Sequence, residues 1–417
     1  MRFAKKVRRL VFHGFKSDTE VNAMCFKYLR SLIFIRSLEP LSKSQLSHML
    51  CAGSKLLKLL DLEGTALEEI PEQVFKLFHL RTLNLKCTRL KMISKCIGCL
   101  KNLEFLDVSY TKVSKLPEEI LKLKGLIHLN VFQCNPSTRF TFKEFKGPNN
   151  ISKLSSLERL LCVGANETVI KEIGMLKKLK VLAITILRRG DEQHLWLSLG
   201  NLTHLRELHL QAANDDEVID LNDTNITFGS SFRNLQVVFL KGRLERLPKL
   251  VSCLQGLISV SLVLSKLMDD PLESLQYLQN LRALLLDQAF QGEHLCFKFG
   301  FFLKLERLTL VSLHNLGWLR VEEGAMPNLG MLGIISLPSL QEFPWGVQHL
   351  TKLQHLYLEL MSDEVTIELQ NQDENCENYQ KISHILQILI WDHEDGWCRH
   401  PQYWKTRKPR MNSRGNP

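Results

Sequence analysis

The segment LxxLxL constrains the fold of this chain more than any other feature, because it recurs at intervals of 22 to 31 residues along most of the sequence. Three successive intervals are 23 residues long, between segments that start at Leu57, Leu80, Leu103 and Leu126. A unit of this length buries its apolar side only by stacking on the next unit, so the pattern predicts a solenoid. A solenoid grows along one axis, and one elongated domain therefore accommodates all 417 residues.

The same alignment continues beyond the regular stretch and identifies the units as leucine-rich repeats. Its further first positions are Leu157, Leu179, Leu205, Leu235, Leu257, Leu281, Leu305, Leu329 and Leu353. We count thirteen firm repeats between Leu57 and Leu358. Degenerate strands are predicted on both sides of them, at Val7, Leu10 and Phe12, at Leu29, Leu32 and Phe34, and at Leu386, Leu389 and Trp391.

The predicted fold is therefore an α/β leucine-rich-repeat solenoid, a curved horseshoe with a parallel sheet on its concave face and short helical or irregular segments on its convex side. We expect degenerate N-terminal repeats in residues 1–56, the solenoid in 57–360, a C-terminal cap with a possible last strand in 361–398 and a disordered basic tail in 399–417. Two long intervals insert NPSTRFTFKEFKGPNN and ANDDEVIDLNDTNITFGSS, which are either contact loops or drift in an irregular array.

Two further positions of the repeat have predictable roles. The ninth position carries Thr65, Thr88, Thr111 and Cys134, where a small buried group is expected to bond to the backbone of the turn that leaves the strand. The return path reads IPEQVFKLFHL, LPEEILKLKGL, LPKLVSCLQGL and FPWGVQHLTKL, starting at residues 70, 116, 247 and 343. In each of these, a proline is predicted to open a short helical turn.

The third, fifth and seventh residues of each strand alternate with the inward leucines and are expected to line the concave face. They are mostly polar in the early repeats, as at Asp61, Asn84, Asp107 and Asn130. In later repeats several are apolar, which is either the mark of a protein-binding strip or the result of a slipped register that buries them. The candidate protein-binding residues are Leu161, Val163, Val237, Phe239, Leu285, Met331, Ile335 and Tyr357.

Charge, cysteine content and hydropathy narrow the class of protein. The net charge of +10 comes from the two ends, because without eleven terminal Lys and Arg residues the chain has 43 basic and 44 acidic side chains. Nucleic acid is therefore not an expected partner. The 11 scattered cysteines, the missing signal sequence and the lack of 18 consecutive apolar residues predict a cytoplasmic protein without a transmembrane segment.

Motifs for catalysis or cofactor binding are absent or weak. The chain has no GxxxxGK[ST], HExxH, GxSxG or strand-following GxGxxG, so we expect no enzyme, no catalytic residue and no cofactor. Cys96 and Cys99 form a lone CxxC without a second pair, which indicates packing within the repeat rather than zinc. The segment WDHEDGWCRH could ligate a metal, but it is interpreted as a polar cap after the last strand, and no metal site is predicted.

The repeat style resembles a known family. LPEEILKLKGL and IPEQVFKLFHL, the opening VRRLVFHG with KYLRSLIFI, and the closing ENYQKISHILQILIWDHEDGW are similar to the repeat domain of intracellular plant disease-resistance receptors of the coiled-coil, nucleotide-binding, leucine-rich-repeat class. The resemblance covers nearly all of residues 1–398. The chain lacks that family's phosphate loop, second acidic nucleotide-binding motif and MHD-type motif, so it looks like a receptor without the nucleotide-binding half, and nucleotide binding is not expected.

The resemblance implies a non-enzymatic protein-recognition module in plant defence. Its partner would be a pathogen effector, a modified host protein or a nucleotide-binding domain supplied by another chain. The alternative is a cytosolic leucine-rich-repeat scaffold or adaptor in signalling, whose repeats keep a strict 23-residue period. The irregular spacing after Leu126 favours the receptor interpretation.

Overall fold

The computed structural model describes residues 7–13, 27–35, 41–51, 54–132, 145, 147–221, 232–340, 342–361, 377–391 and 404–406. The chain forms two compact units. The first comprises Met1–Ala213 and Ile226–Asn234, and the second comprises Asn214–Asn225 and Leu235–Pro417. The division falls within the 30-residue interval before Leu235, where the repeat period is broken.

In its described part, the first unit contains a parallel sheet in which each strand pairs with the next along the chain. The strands are β1 (Arg9–His13), β2 (Ser31–Ile35), β3 (Leu59–Asp61), β4 (Thr82–Asn84), β5 (Phe105–Asp107), β6 (His128–Asn130), β7 (Arg159–Gly164), β8 (Val181–Leu187) and β9 (Glu207–Ala212). The return segments include α1 (Lys43–Cys51), α2 (Glu167–Ile173), α3 (Glu192–Leu199) and 3-10 helices at Glu72–Lys76, Lys95–Cys99, Glu118–Lys122 and Ile151–Lys153.

The second unit repeats this architecture with a second, smaller sheet. Its strands are β10 (Val237–Lys241), β11 (Ser259–Val263), β12 (Ala283–Asp287), β13 (His294–Phe297), β14 (Arg307–Val311), β15 (Trp318–Val321), β16 (Met331–Ile335), β17 (His355–Glu359), β18 (Gln387–Trp391) and β19 (Trp404–Thr406). β10, β11, β12, β14, β16, β17 and β18 form the main parallel sheet. β13 pairs in parallel with β15 in the smaller sheet. The helices are α4 (Lys249–Cys253), α5 (Leu272–Leu275), α6 (Glu377–Ile382) and a 3-10 turn at Val347–His349.

The inward leucines form the core of each unit, as the repeat alignment predicts. All thirteen first-position leucines are buried, and each of the thirteen repeats contributes one strand to a main sheet. The fourth and sixth positions are buried with them, for example Leu83 and Leu85 in the first unit and Leu308 and Leu310 in the second. Because strand side chains alternate, this register leaves the third and fifth positions on the opposite face of the sheet.

Where the chain leaves each strand, the turn follows the predicted chemistry in the regular repeats. The hydroxyl groups of Thr65, Thr88 and Thr111 are buried and donate hydrogen bonds of 2.8, 2.7 and 2.7 Å to the backbone carbonyls of Leu62, Leu85 and Val108. The prediction for the ninth position is confirmed at these threonines, whereas Cys134 lies outside the described residues.

Proline opens the return helix in three of the four predicted segments. Pro71, Pro117 and Pro248 immediately precede the helices at Glu72–Lys76, Glu118–Lys122 and α4. The prediction is wrong for the fourth segment, where the 3-10 turn follows Gly346 at φ 90°. A side chain at that position would collide with the Val321 carbonyl oxygen, since a Cβ there would lie 1.8 Å from it. The glycine therefore sets where this helix begins.

The ends of the chain contain the strands predicted for the degenerate repeats. β1 and β2 pair in register at the N-terminal side, and β18 pairs with β17 at the C-terminal side. Within the tail that is predicted to be disordered, three residues form β19, which runs antiparallel to β18. Residues 392–403 and 407–417, with most of the WDHEDGWCRH segment, lie outside the described residues, as do 135–144, 146 and 222–231 of the two long insertions.

Candidate functional site

The outward face of the second unit consists of two in-register rows of side chains. The outer row occupies the third position of each repeat, and the central row occupies the fifth. The outer row is Val237, Ser259, Ala283, Arg307, Met331, His355 and Gln387. The central row is Phe239, Ser261, Leu285, Thr309, Gly333, Tyr357 and Leu389. This outward face, defined by the two rows, is mainly apolar or small in character, and Gly333 and Leu389 in its central row are buried.

Six of the eight candidate binding residues are part-exposed. Leu161 lies on the first unit, and the other five lie on the outward face of the second unit: Val237, Phe239, Leu285, Met331 and Tyr357. Because the six belong to two separate units, we treat the five residues of the second unit as one candidate site. Their binding role stays a prediction.

Val163 and Ile335 do not line an exposed face, with exposed fractions of 1% and 3%. A bulge in β7 causes the burial of Val163, since Cys162 adopts φ 64° and the register with β8 shifts between Leu160 and Val163. Ile335 occupies the seventh position, where the strand turns inward before Ser336 at φ 53°.

The seventh position is buried in β10, β11, β12, β14, β16 and β17, so it is not part of the outward face. Its residues are Lys241, Val263, Asp287, Val311, Ile335 and Glu359. Three of them are charged, and the Lys241 ammonium lies 3.5 Å from the Asp215 carboxylate. The alternation rule alone could not reveal this burial, because it depends on the left-handed turn that follows each strand.

The central row of the second unit contains a notch next to Tyr357. Thr309 and Gly333 form its floor, and Leu285 and Tyr357 stand on the strands at either side. With neighbouring strands about 4.8 Å apart, the notch spans roughly 14 Å between the backbones of its two walls. Gly333 is tightly fitted, because a Cβ there would approach the Thr309 methyl group to 3.2 Å. Gly333 is buried, so the exposed part of the floor is the Thr309 side chain.

Arg307 is a component of this face that the sequence reasoning missed. It is exposed in the outer row, directly between Ala283 and Met331 on the neighbouring strands. A signal was available, because the third position of its repeat holds a charge while the neighbouring repeats hold Ala and Met.

The outward face of the first unit is different in its early repeats, where polar groups bond to each other. The Lys86 ammonium donates to the Glu63 carboxylate at 2.8 Å, and the Asn84 amide donates to the same carboxylate at 3.1 Å. The hydrogen bond from Lys86 lowers the pKa of Glu63, and the same contact raises the pKa of Lys86. One strand further on, the Asn130 amide donates to Asp107 at 2.9 Å.

The later strands of the first unit carry a mixed face. The guanidinium of Arg159 lies 3.9 Å from the Glu207 carboxylate. Burial lowers the pKa of both His128 and His209, and the nearby Arg159 charge lowers them further. Both imidazoles therefore favour the neutral form near pH 7.

Along one edge of each unit, side chains at the position before some of the first leucines form hydrogen bonds between neighbouring repeats. The amides of Asn102, Asn280 and Asn328 donate to backbone carbonyls of the preceding repeat at 2.7 to 2.9 Å. Lys304 and Lys352 donate to the amide oxygens of Asn280 and Asn328. Shallow polar pockets of about 280 and 270 Å³ lie along these edges. Arg81 and Glu104 pair within the first pocket and Arg282 and Glu306 within the second, so we assign both pockets a structural role.

Metal binding and membrane crossing find no support in the described residues. No group of three or more His, Cys, Asp or Glu side chains there is arranged to hold a metal ion. Cys96 and Cys99 are both exposed, so the prediction that they pack within the repeat is wrong, and Ile97 and Gly98 between them are buried instead. No helix in the described ranges has the length and apolar character to span a bilayer.

Stacked parallel strands, inward leucines and the hydroxyl-closed turns make this chain a leucine-rich-repeat solenoid. The chain belongs to the leucine-rich-repeat family: residues 28–384 match the family described as "Leucine-rich repeat region". Among solved structures, a leucine-rich-repeat protein of Leptospira interrogans superposes with a TM-score of 0.55 at 20% identity, covering 89% of this chain and 95% of that one. At that identity, the likeness shows the fold alone.

Its curated relatives include disease resistance proteins of Arabidopsis thaliana. Disease resistance protein RPM1 is 28% identical over 238 residues, which are 57% of this chain and 25% of RPM1. Disease resistance RPP8-like protein 3 is 25% identical over 391 residues, which are 93% of this chain and 41% of that protein. The resemblance to the repeat region of plant disease-resistance proteins is confirmed, and the chain spans less than half the length of these relatives.

Proposed function

We propose that this chain is a non-enzymatic protein-recognition module in plant defence, and that it senses a pathogen effector or a modified host protein through the outward face of its second unit. The observation that carries the proposal is the composition of that face. Five part-exposed apolar residues stand on it, namely Val237, Phe239, Leu285, Met331 and Tyr357. Part-exposed apolar side chains grouped on one face are typical of a protein-binding site.

Affinity for a large partner would come from burying this face. Removing apolar surface from water contributes about 25 cal/mol per Å², and aromatic anchors such as Phe239 and Tyr357 are the residue types that dominate interface energies. The names of the relatives support the defence setting. A cytoplasmic location, and a nucleotide-binding domain on another chain as a second partner, belong to the same proposal.

Proximity labelling in leaf tissue tests the proposal. The chain is fused to a biotin ligase and compared with the double variant Phe239→Asp/Tyr357→Asp and with Tyr277→Asp. Tyr277 is the matched control, because it is exposed and lies outside the outward face. We expect a set of labelled proteins shared by the wild type and the control and depleted at least tenfold in the double variant.

The same three proteins are scored for defence-associated cell death. We expect that the wild type and Tyr277→Asp give equal responses and that the double variant gives a weaker one. The proposal fails if the double variant, at equal abundance and with an unchanged circular dichroism spectrum, labels the same proteins and gives the same response as the wild type.

A further inference from the structure

Arg307 is the one Arg, Lys, Asp or Glu in the two rows of the outward face, counted over the described strands β10 to β18. Its guanidinium forms no ion pair or side-chain hydrogen bond with any described residue. The carboxylate next to it in sequence, Glu306, belongs to the unit's edge and is bonded to Arg282 at 3.1 Å. Among the described residues, Arg307 is thus a charge without a counterion on a mainly apolar face.

This arrangement differs from the cross-repeat ion pairs elsewhere in the chain. Arg81 pairs with Glu104 at 2.8 Å and Lys86 pairs with Glu63 at 2.8 Å. In those places, the neighbouring repeat supplies the partner. On the second unit, the neighbours of Arg307 are Ala283 and Met331, and neither accepts a hydrogen bond from a guanidinium.

The missing counterion restricts what can bind. In free solution water hydrates the guanidinium, but a partner that covers the apolar face removes that water. Burying an uncompensated charge costs several kcal/mol, which would cancel much of the gain from apolar burial. A partner that supplies a carboxylate avoids this cost and gains two parallel charge-assisted hydrogen bonds, because the guanidinium fork matches the two carboxylate oxygens.

We propose that the outward face of the second unit binds an extended protein segment with an acidic residue and a large apolar residue two positions apart. The carboxylate pairs with Arg307, and the apolar side chain packs on Thr309 in the notch between Leu285 and Tyr357. Thr309 lies two residues along the strand from Arg307, so the two contacts are about 6.6 to 7 Å apart. Alternate residues of an extended segment are about 6.6 to 7 Å apart on one side, which fits that distance.

This inference rests on the proposed function, since it names the chemistry of the partner at the same face. The probe is a random dodecapeptide library displayed on phage and selected on the whole purified chain. We expect enrichment of Asp or Glu with a large apolar residue two positions away. A synthetic peptide of the enriched sequence should then bind the wild type and lose at least tenfold in affinity with Arg307→Glu.

Two further variants make the test specific. Arg307→Lys keeps the charge without the planar fork, so we expect an intermediate loss. Arg320→Glu makes the same charge change at an exposed residue of β15, in the smaller sheet. We expect this variant to bind with an affinity within twofold of the wild type. Replacing the peptide's acidic residue by Lys should abolish binding to the wild type and restore it to Arg307→Glu.

The outcomes separate this inference from the proposed function. The selection could instead yield purely apolar peptides whose affinity is unchanged by Arg307→Glu but is lost when Phe239 and Tyr357 are replaced. That result would overturn the acidic partner and leave the recognition face in place. Equal losses in Arg307→Glu and Arg320→Glu would reduce the effect to net charge and overturn the inference. Peptides whose affinity is unchanged by all of these substitutions, or a selection without enrichment, would count against both the inference and the proposed function.

Discussion

The early repeats of the first unit and the strands of the second unit share one inward design and differ on their outward faces. In both, leucines at the first, fourth and sixth positions are buried. On the outward face of the first unit, Lys86 donates a hydrogen bond to Glu63, and Asn130 donates one to Asp107. The second unit presents apolar side chains around Arg307. The repeat therefore fixes the scaffold and leaves the outward positions free to vary.

This difference has an energetic meaning for binding. A partner on the early repeats of the first unit would cover polar groups that already satisfy one another, so little apolar surface would be removed from water. On the second unit, covering Phe239, Leu285 and Tyr357 removes apolar surface and contributes favourably. The self-paired polar face therefore offers a partner less apolar surface than the face around Arg307.

The largest effect is expected where the two units are alike. Leu83→Ala in the first unit and Leu308→Ala in the second each remove a buried leucine from the same fourth position. Each should lower the free energy of unfolding by about 2 to 5 kcal/mol, since the lost side chain leaves a cavity in a close-packed core. Urea denaturation followed by circular dichroism measures both.

The matched control replaces an outward residue on the same strand, Thr82→Ala beside Leu83 and Thr309→Ala beside Leu308. These controls should change the unfolding free energy by less than about 1 kcal/mol. If the leucine variants were no more destabilising than their controls, the two units would not share the leucine ladder as their main source of stability.

A smaller effect should distinguish the turns of the two units. Thr111→Val removes the hydroxyl that donates to the Val108 carbonyl at 2.7 Å and leaves that buried acceptor without this bond. We expect a loss of about 1 to 3 kcal/mol. The equivalent ninth position in the second unit, Ser265, is fully buried, and its hydroxyl has no hydrogen-bond partner among the described residues.

Ser265→Ala should therefore leave stability unchanged or raise it slightly, because it removes a buried polar group that gains nothing. Parallel thermal melts of Thr111→Val, Ser265→Ala and the wild type test the pair. Equal destabilisation by both substitutions would mean that the ninth-position hydroxyls act in the same way in the two units, contrary to the contacts.

The scaffold was predictable because it depends on a local rule repeated many times. Each first-position leucine and each of Thr65, Thr88 and Thr111 occupies the environment expected from its place in the period. The position of the 3-10 turn after Gly346 was not predictable, because it depends on a close approach to the Val321 carbonyl on another repeat.

The candidate site was only partly predictable, for physical reasons that differ from residue to residue. Phe239 and Tyr357 follow the period-two alternation and are part-exposed. Val163 departs from it through a bulge, which alternation cannot anticipate. Arg307 is distinguished by the lack of a counterion among the described residues, and that property appears only when the neighbouring strands are placed beside it.

The smallest expected effect concerns the polar network of the first unit. The hydrogen bond from Lys86 lowers the pKa of Glu63, so this contact contributes stability above the unfolded pKa of a glutamate, about 4.3, and loses it as pH falls through the lower folded pKa. Because both side chains are more than a third exposed to solvent, Glu63→Gln should cost less than about 1 kcal/mol at pH 7. Glu68→Gln, an exposed residue without an ion pair among the described residues, is the control. If the cost of Glu63→Gln in urea denaturation were the same near pH 7 and near pH 3, the carboxylate would not be bonded in the folded state, and the contrast between a self-paired and an unpaired outward face would weaken.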